Sequence, residues 1–346
     1  MGEGVRVLEG YSKLLRKMSG LYGEIPLISV IKGDVFGMLS MFAPLSDFVI
    51  ALEKGVLCSN SPMVVSSKSG KATSAADLAG ASTLAKSGTA QIVCKEEELK
   101  ANLSNLLAKL YKNSDFDEES LNAACASLNE KYSATELING VFDKNSFFET
   151  NKEYATEVRT GLASVGGETV GAVLFGDNPL GETLTANGCK KINKIANFCS
   201  NFDIPLITFV NCRGLEASEA AEKAGIIKES ALLLSTYADS RNIKISVVVN
   251  VAAASAYSIF ASKEMVDYSL AFATAKISLL PSDASVELLY QDELKKSKSP
   301  DQLRETLTKK FEDLEADVWN FAVSGNIDNV VEPASIRQYL LSILYN

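Results

Sequence analysis

The sequence predicts an α/β protein made of two similar halves, and three observations carry that expectation. Ile243-Lys-Ile-Ser-Val-Val-Val-Asn-Val is too apolar for a strand with one wet face, so it reads as a strand buried on both sides. Through residues 185–290 such runs alternate with helix-length amphipathic ones, which favours mostly parallel pairing. The pattern also recurs within the chain. Ile28-Ser-Val-Ile-Lys-Gly-Asp-Val-Phe-Gly-Met-Leu lies over Ile245-Ser-Val-Val-Val-Asn-Val-Ala-Ala-Ala-Ser-Ala without a gap. With three residues inserted, Asp47-Phe-Val-Ile-Ala lies over Asp267-Tyr-Ser-Leu-Ala, and Val56-Leu57 over Lys276-Ile277. A repeat of this kind implies two related units that face each other.

From the amino terminus, Tyr11–Ser19 mixes basic and apolar residues as an amphipathic helix does, and Gly20 and Gly23 end it. The first repeat unit then runs from Ile25 to about Val65. Residues 66–88, rich in Ser, Ala, Gly and Lys, read as a loop and short-helix region, either plain surface or a lid. Cys94–Leu110 is expected to be an amphipathic helix and 112–119 a polar linker. Helices near 121–128 and 134–141 lead into the second unit. There Val158–Val165, Gly166-Gly167 and Val170–Phe175 give a hairpin signal. A helix over 185–201, a strand over 205–211, a loop over 212–218 and a helix over 226–240 follow. After the buried strand come two short strands, near 267–272 and 276–280. One charged helix over 301–322 and a last one over 335–344 close the chain. The expected domains are 1–130 and 131–346.

Small residues Ala252, Ala253, Ala254, Ser255 and Ala256 directly follow the buried strand. A helix starting there aims free backbone N–H groups at whatever sits above the strand. Asp47 and Asp267, at the two equivalent strand starts, read as turn or cap residues rather than general bases.

Composition narrows the chemistry. The chain has 346 residues, 47% of them hydrophobic and 22% charged, enough for two domains with substantial cores. A net charge of −9 argues against nucleic acid and against an anionic membrane surface, so a phosphorylated ligand must be held by local groups. There is no histidine, which removes the usual acid–base catalyst, the Ser–His and Cys–His pairs and the commonest metal ligand. Cysteines 58, 94, 125, 189, 199 and 212 form no CxxC pair; free thiols are expected, with no metal site or disulfide framework. The first twenty residues carry acids and bases throughout, unlike a signal peptide. The apolar run 243–262 is broken by Asn250 and serines, so a membrane span is not expected. A cytoplasmic protein follows from these readings.

A series of segments then carries a family resemblance. They are Gly4-Val-Arg-Val-Leu-Glu-Gly10, Gly23-Glu-Ile-Pro-Leu-Ile-Ser29, Asp47-Phe-Val-Ile50 and Gly80-Ala-Ser82 in the first half. Asp143-Lys-Asn-Ser-Phe-Phe-Glu149, Thr160-Gly-Leu-Ala, Asp203-Ile-Pro-Leu-Ile-Thr208, Gly225-Ile-Ile227, Val286-Glu-Leu-Leu-Tyr290 and Val331-Glu-Pro333 continue it. In this order they resemble the carboxyltransferase subunit of biotin-dependent acyl-CoA carboxylases and decarboxylases. The resemblance implies two crotonase-like (ClpP/crotonase) ββα-repeat domains. It implies carboxyl transfer between biotin on a biotin carboxyl carrier protein and a short acyl-CoA, with a homo-oligomer as the assembly and a second carboxyltransferase subunit as a further partner. Negative charge on the thioester oxygen and on the biotin urea would be held by backbone N–H groups.

By the same resemblance, the donors are those at Gly37 and Met38 in the first half and at Ser255 and Ala256 in the second. Gly4, Arg6, Gly33, Ala254, Tyr257 and Ser258 would line substrate; Arg6 is otherwise simply a solvated arginine. Departures from the family pattern are Met38 and Ala254-Ser255 where glycines are usual, Arg213-Gly214 for a Pro-Gly turn, and Pro281-Ser-Asp-Ala for a glycine-containing one. Members also carry roughly a hundred residues before the glycine-rich segment where this chain opens, and weak acyl-CoA binding is expected on that account. A positive φ at Met38 or Ala254 would cost about 1–2 kcal/mol. The alternative function is a non-catalytic paralogue that scaffolds an oligomer or binds acyl-CoA. A hydratase or thioesterase would need a carboxylate beside a turn, and only Asp34 is near one in sequence.

Overall fold

The structure, a computed structural model, describes residues 6–110, 132–176 and 183–345. The linker expected at 112–119 and the helix expected at 121–128 lie outside the described residues, as does the proposed domain boundary at 130. The chain divides into two compact units, Met1–Ala108 with Glu149–Tyr154, and Lys109–Phe148 with Ala155–Asn346.

The first unit carries β1 (Ile28–Ile31), β2 (Asp34–Phe36), β3 (Phe48–Leu52), β4 (Val56–Cys58) and β5 (Ile92–Cys94). They form a parallel sheet β1-β3-β5 and a parallel pair β2-β4. β3, the middle strand, is buried along its whole length, and Ile50 and Leu52 pack with Cys94 on one face. Three short helices, Pro62–Ser69, Ala75–Ala79 and Ala81–Lys86, occupy the region expected to be loop and short helix.

In the second unit, β7 (Val158–Val165) and β8 (Glu168–Phe175) form the expected hairpin. Gly166 (φ 59°) and Gly167 (φ 84°) make its turn, positions that need the left-handed region. β9 (Leu206–Cys212), β10 (Lys244–Ala253), β11 (Tyr268–Phe272), β12 (Lys276–Ser278) and β13 (Asn329–Val331) extend a sheet in the order β13-β11-β10-β9-β8-β7, with β12 on β10 and the short β6 (Phe148–Thr150) at the β7 end. From β8 to β13 the pairing is parallel. Helices Ala186–Asn201 and Ile226–Asp239 pack together and join these strands. Thr185 opens the first by accepting from the Gly188 N–H at 3.0 Å. Beneath the sheet, Phe142, Phe209, Leu174, Val247, Phe272 and Leu340 are sealed from solvent; each such side chain contributes about 1.5–3 kcal/mol by burial.

The repeat seen in the sequence holds residue for residue in the strand registers. Ile28 pairs with Phe48 and Val30 with Ile50; their counterparts Ile245 and Val247 pair with Tyr268 and Leu270. Val35 pairs with Leu57, as Ala252 does with Ile277. Asp47 accepts the Leu27 N–H and Asp267 the Lys244 N–H, each at 2.8 Å, the turn role expected of both. The correspondence runs further than the sequence revealed. Ile50–Ile92 matches Leu270–Asn329, and Val56–Gly80 matches Lys276–Asp317. The helices Leu99–Leu110 and Ile336–Leu344, each entered through a short 3₁₀ turn, match as well. The second unit differs by an insertion carrying helices Gln291–Lys296 and Pro300–Leu314.

Several boundaries differ from expectation, for local reasons. The helix expected over 301–322 breaks at 315–317, because Asp317 bridges to Lys276 and then caps a separate helix, Val318–Val323. The first helix begins at Arg6, and Cys94 ends β5 rather than starting a helix.

Cys58, Cys94, Cys189, Cys199 and Cys212 are free and buried; Cys125 lies outside the described residues. Burial pushes the thiols of Cys189 and Cys212 up to about 12. At pH 8 their thiolate fraction is then about 10⁻⁴. Ellman's reagent is expected to leave both unmodified for minutes in the native protein and to label them at once in guanidinium. Prompt labelling without denaturant would show that this core opens.

Candidate functional site

Each half carries the same piece of chain: a parallel strand, one tight residue, then a helix. In the first, β2 ends at Phe36, Gly37 adopts φ 67°, and a 3₁₀ helix Gly37–Met41 follows. In the second, β10 ends at Ala253, Ala254 adopts φ 51° and ψ −128°, and a helix Ser255–Phe260 follows. The residue with positive φ is therefore Gly37 and not Met38. In the second half it is Ala254.

Alanine reaches that conformation only at a cost of about 1–3 kcal/mol. Neighbours hold it there. The Ala254 N–H donates to the Ser278 carbonyl at 3.0 Å, and its own carbonyl accepts from Ser258 Oγ at 3.5 Å. Ala254→Gly should remove the strain while keeping every one of these bonds. The expected result is a gain of about 1 kcal/mol, read as a melting temperature higher by about 2 °C. A loss of stability would show that Ala254 is relaxed.

Ser255 and Ala256 are the first helical residues, so their N–H groups have no carbonyl one turn back inside the helix. Ala256 is buried and Ser255 half-buried. Tyr257 turns away: its hydroxyl donates to the Asn326 carbonyl at 3.4 Å and its ring lies 5.4 Å from that of Phe321. Ser258 is exposed. Of the first-half candidates, Gly33 is an exposed turn residue and Met38 is half-buried. Gly4, and the side chain of Arg6, lie outside the described residues.

The loop after β9, whose Arg213-Gly214 the family resemblance marks as an altered glycine turn, closes against the second turn. Gly214 (φ 118°) lies so close that a Cβ placed on it would be 3.6 Å from that of Ala254 and 3.9 Å from Ser255 Oγ. Its carbonyl accepts from the Leu184 N–H at 2.9 Å and from Cys212 Sγ at 3.3 Å, which fixes the loop. Beside the turn runs a polar cleft of roughly 280 Å³ lined by Asn211, Arg213, Asn250, Ala253, Lys276 and Ser278. Asn250 donates to Asn211 at 3.1 Å. Both cations are engaged. Arg213 pairs with Asp283, and Lys276 donates to the Glu312 carbonyl at 3.1 Å. The inserted helix thus brings a carboxylate residue, Glu312, to a cleft that sequence spacing places far from it.

Two strand–turn–helix units with small residues at the bend define the crotonase-like class of fold, and the similar structures have it. The transcarboxylase 12S core, solved as a hexamer with methylmalonyl-coenzyme A bound, superposes with a TM-score of 0.89 at 26% identity, over 99% of this chain and 69% of that one. A single-chain, multi-domain long-chain acyl-CoA carboxylase shares the fold at 18% identity and a TM-score of 0.83, over 94% of this chain and 33% of that one.

The chain belongs to the carboxyl transferase domain family, whose profile matches residues 1–344. The propionyl-CoA carboxylase carboxyltransferase subunit of Haloferax mediterranei is 28% identical over 99% of this chain and 70% of its own length. The methylmalonyl-CoA carboxyltransferase 12S subunit of Propionibacterium freudenreichii subsp. shermanii is 26% identical over 99% and 68%. Among the described residues, no helix is long and apolar enough to cross a membrane.

Proposed function

We propose that this protein transfers a carboxyl group between biotin, carried on a biotin carboxyl carrier protein, and the α-carbon of a short acyl-CoA, working as an oligomer. Family membership supports the reaction class, and one observation carries the site: the Ala254 turn, held at a strained φ and closed by Gly214, with the N–H groups of Ser255 and Ala256 at the head of the following helix. A turn held against its own preference is characteristic of a working site.

The chain's part in the reaction is electrostatic. Breaking the Cα–carboxyl bond leaves its electron pair as an enolate, with the charge on the thioester oxygen. The CO2 released goes to the biotin nitrogen in exchange for its proton, which the α-carbon takes. In reverse, loss of CO2 from carboxybiotin leaves the charge on the urea oxygen, and that anion takes the α-proton. Fixed N–H groups at the second turn hold one of these charges, and the N–H groups at Gly37 and Met38 the other. Neither role needs a titrating side chain, so a protein with no histidine can perform it. The small, exposed Ser258 leaves room for a propionyl-sized group.

The test is decarboxylation of malonyl-CoA or methylmalonyl-CoA with free biotin, by wild type and by Ser255→Gly, which keeps every donor. Activity in both is expected. Inactivity of both in folded, oligomeric protein would leave the scaffold reading.

A further inference from the structure

The strained turn at Ala254 sits inside a closed ring of contacts, and one link of that ring is an ion pair. The Ala254 N–H donates to the Ser278 carbonyl at 3.0 Å, and Ser278 Oγ donates to the Leu280 carbonyl at 2.6 Å. Leu280 leads through Pro281 into the helix Ser282–Leu289, whose second residue is Asp283. Asp283 accepts from the Arg213 guanidinium, and Arg213 precedes Gly214, which lies against Ala254 and Ser255. The Arg213–Asp283 pair therefore joins the loop after β9 to the loop after β12. Both residues stand in turns where the sequence departs from the family pattern, Arg213-Gly214 and Pro281-Ser-Asp-Ala. The fold brings the two departures into contact.

The two faces of the β9 loop are held differently. Toward Leu184 the hold is backbone: the Leu184 N–H donates to the Gly214 carbonyl and the Glu216 N–H to the Leu184 carbonyl, each at 2.9 Å. Toward Ala254, Gly214 makes van der Waals contact, which is weak against withdrawal. Asp283 is itself anchored. Its Oδ1 also accepts the Ala284 N–H at 2.9 Å, and the Ser285 N–H donates to the Pro281 carbonyl at 2.9 Å. The first half shows the contrast. There the helix Pro62–Ser69 takes the matching place, with Met63, 81% exposed, where the second half has Asp283. Its tight residue is Gly37, which adopts a positive φ without being held. Alanine has to be held there, and the ion pair is found in the half that has alanine.

We propose that Arg213 is a positioning residue for the second turn. Paired with Asp283, it keeps Gly214 pressed on Ala254 and Ser255, and so keeps the Ser255 and Ala256 N–H groups aimed. It acts through Gly214 rather than on the reacting atoms. The two side chains are 31% and 59% exposed, so the pair adds little to global stability and is screened by salt. Its effect is local. The kinetic consequence rests on the carboxyl-transfer reading; the structural consequence does not.

Hydrogen exchange is followed in peptides covering 212–218 and 253–258 of the whole chain, for wild type, Asp283→Asn, Arg213→Gln and Arg213→Lys. Asparagine keeps an oxygen for the Ala284 N–H while removing the charge. For Asp283→Asn and Arg213→Gln, both segments should exchange about threefold faster, with the melting temperature within about 2 °C of wild type. Arg213→Lys should restore most of the protection, and about 1 M salt should bring wild type to the rate of the variants. In the decarboxylation assay kcat should fall by the same factor with KM unchanged, again largely rescued by lysine. Unchanged exchange over 253–258 in both variants overturns the proposal, whatever the activity. So does faster exchange there with kcat unaltered in an active enzyme. Inactivity of the wild type strikes the carboxyl-transfer reading instead, and the exchange rates then decide the positioning role by themselves.

Discussion

A proline at position 255 is expected to cut biotin-dependent decarboxylation 10²–10³-fold. Proline has no N–H, so the substitution deletes one of the donors at the second turn. Loss of one preorganised donor to a developing oxyanion costs about 3–4 kcal/mol of transition-state stabilisation. The helix itself should survive, because proline is favoured at the first helical position. The residue before proline, however, avoids conformations like that of Ala254. The comparison is therefore made between Ala254→Gly and Ala254→Gly/Ser255→Pro, where the preceding glycine is free to keep the turn. A fall in kcat with unchanged melting temperature is the expected signature. Equal kcat in the two variants would remove the Ser255 N–H from the mechanism.

The second large effect concerns stability. Asp143 accepts the N–H groups of Gly166 and Gly167, each at 2.8 Å, and receives Arg337 at 2.7 Å. Arg337, 3% exposed, also donates to the Val141 carbonyl. One carboxylate thereby ties the β7–β8 turn to the last helix. Asp143→Ala takes a carboxylate away from a buried guanidinium and the acceptor from two turn N–H groups. The expected loss is about 3–5 kcal/mol, measured as a fall in the urea midpoint. Adding Arg337→Met should recover part of it, because an apolar side chain in that place carries no charge to desolvate. A loss below about 1 kcal/mol would mean that water reaches the pair.

Much of this architecture could be read from the chain, and the limits have physical causes. Asp47 and Asp267 fixed the alignment of the halves because each precedes a strand and accepts an N–H at the start of the neighbouring one. Beyond Val56 and Lys276 the match faded. The second half inserts two helices before Asp317, and the residue aligned with it is Gly80, which shares its place but not its chemistry. Gly37 announced its positive φ by being glycine, whereas Ala254 did not, since alanine takes that conformation only when packing imposes it. The approach of Gly214 to Ala254 and the arrival of Glu312 in the cleft are tertiary facts. No spacing rule encodes either.

Among the described residues no strand lies beyond β1, and that edge has a consequence for handling the protein. Ile28-Ser-Val-Ile is a short, uncharged, β-prone segment with no strand on its outer side among the described residues, the kind of template on which like strands stack into fibrils. Its protection is slight. Lys32 follows the strand at once, and its ammonium is 2.9 Å from Glu96, so the local charge is largely cancelled. Colloidal behaviour should therefore worsen where the Lys32–Glu96 pair stays neutral and the overall negative charge is screened, as in concentrated salt. Substituting Glu96 with a neutral residue frees the lysine as a gatekeeper, and turbidity on concentration should fall.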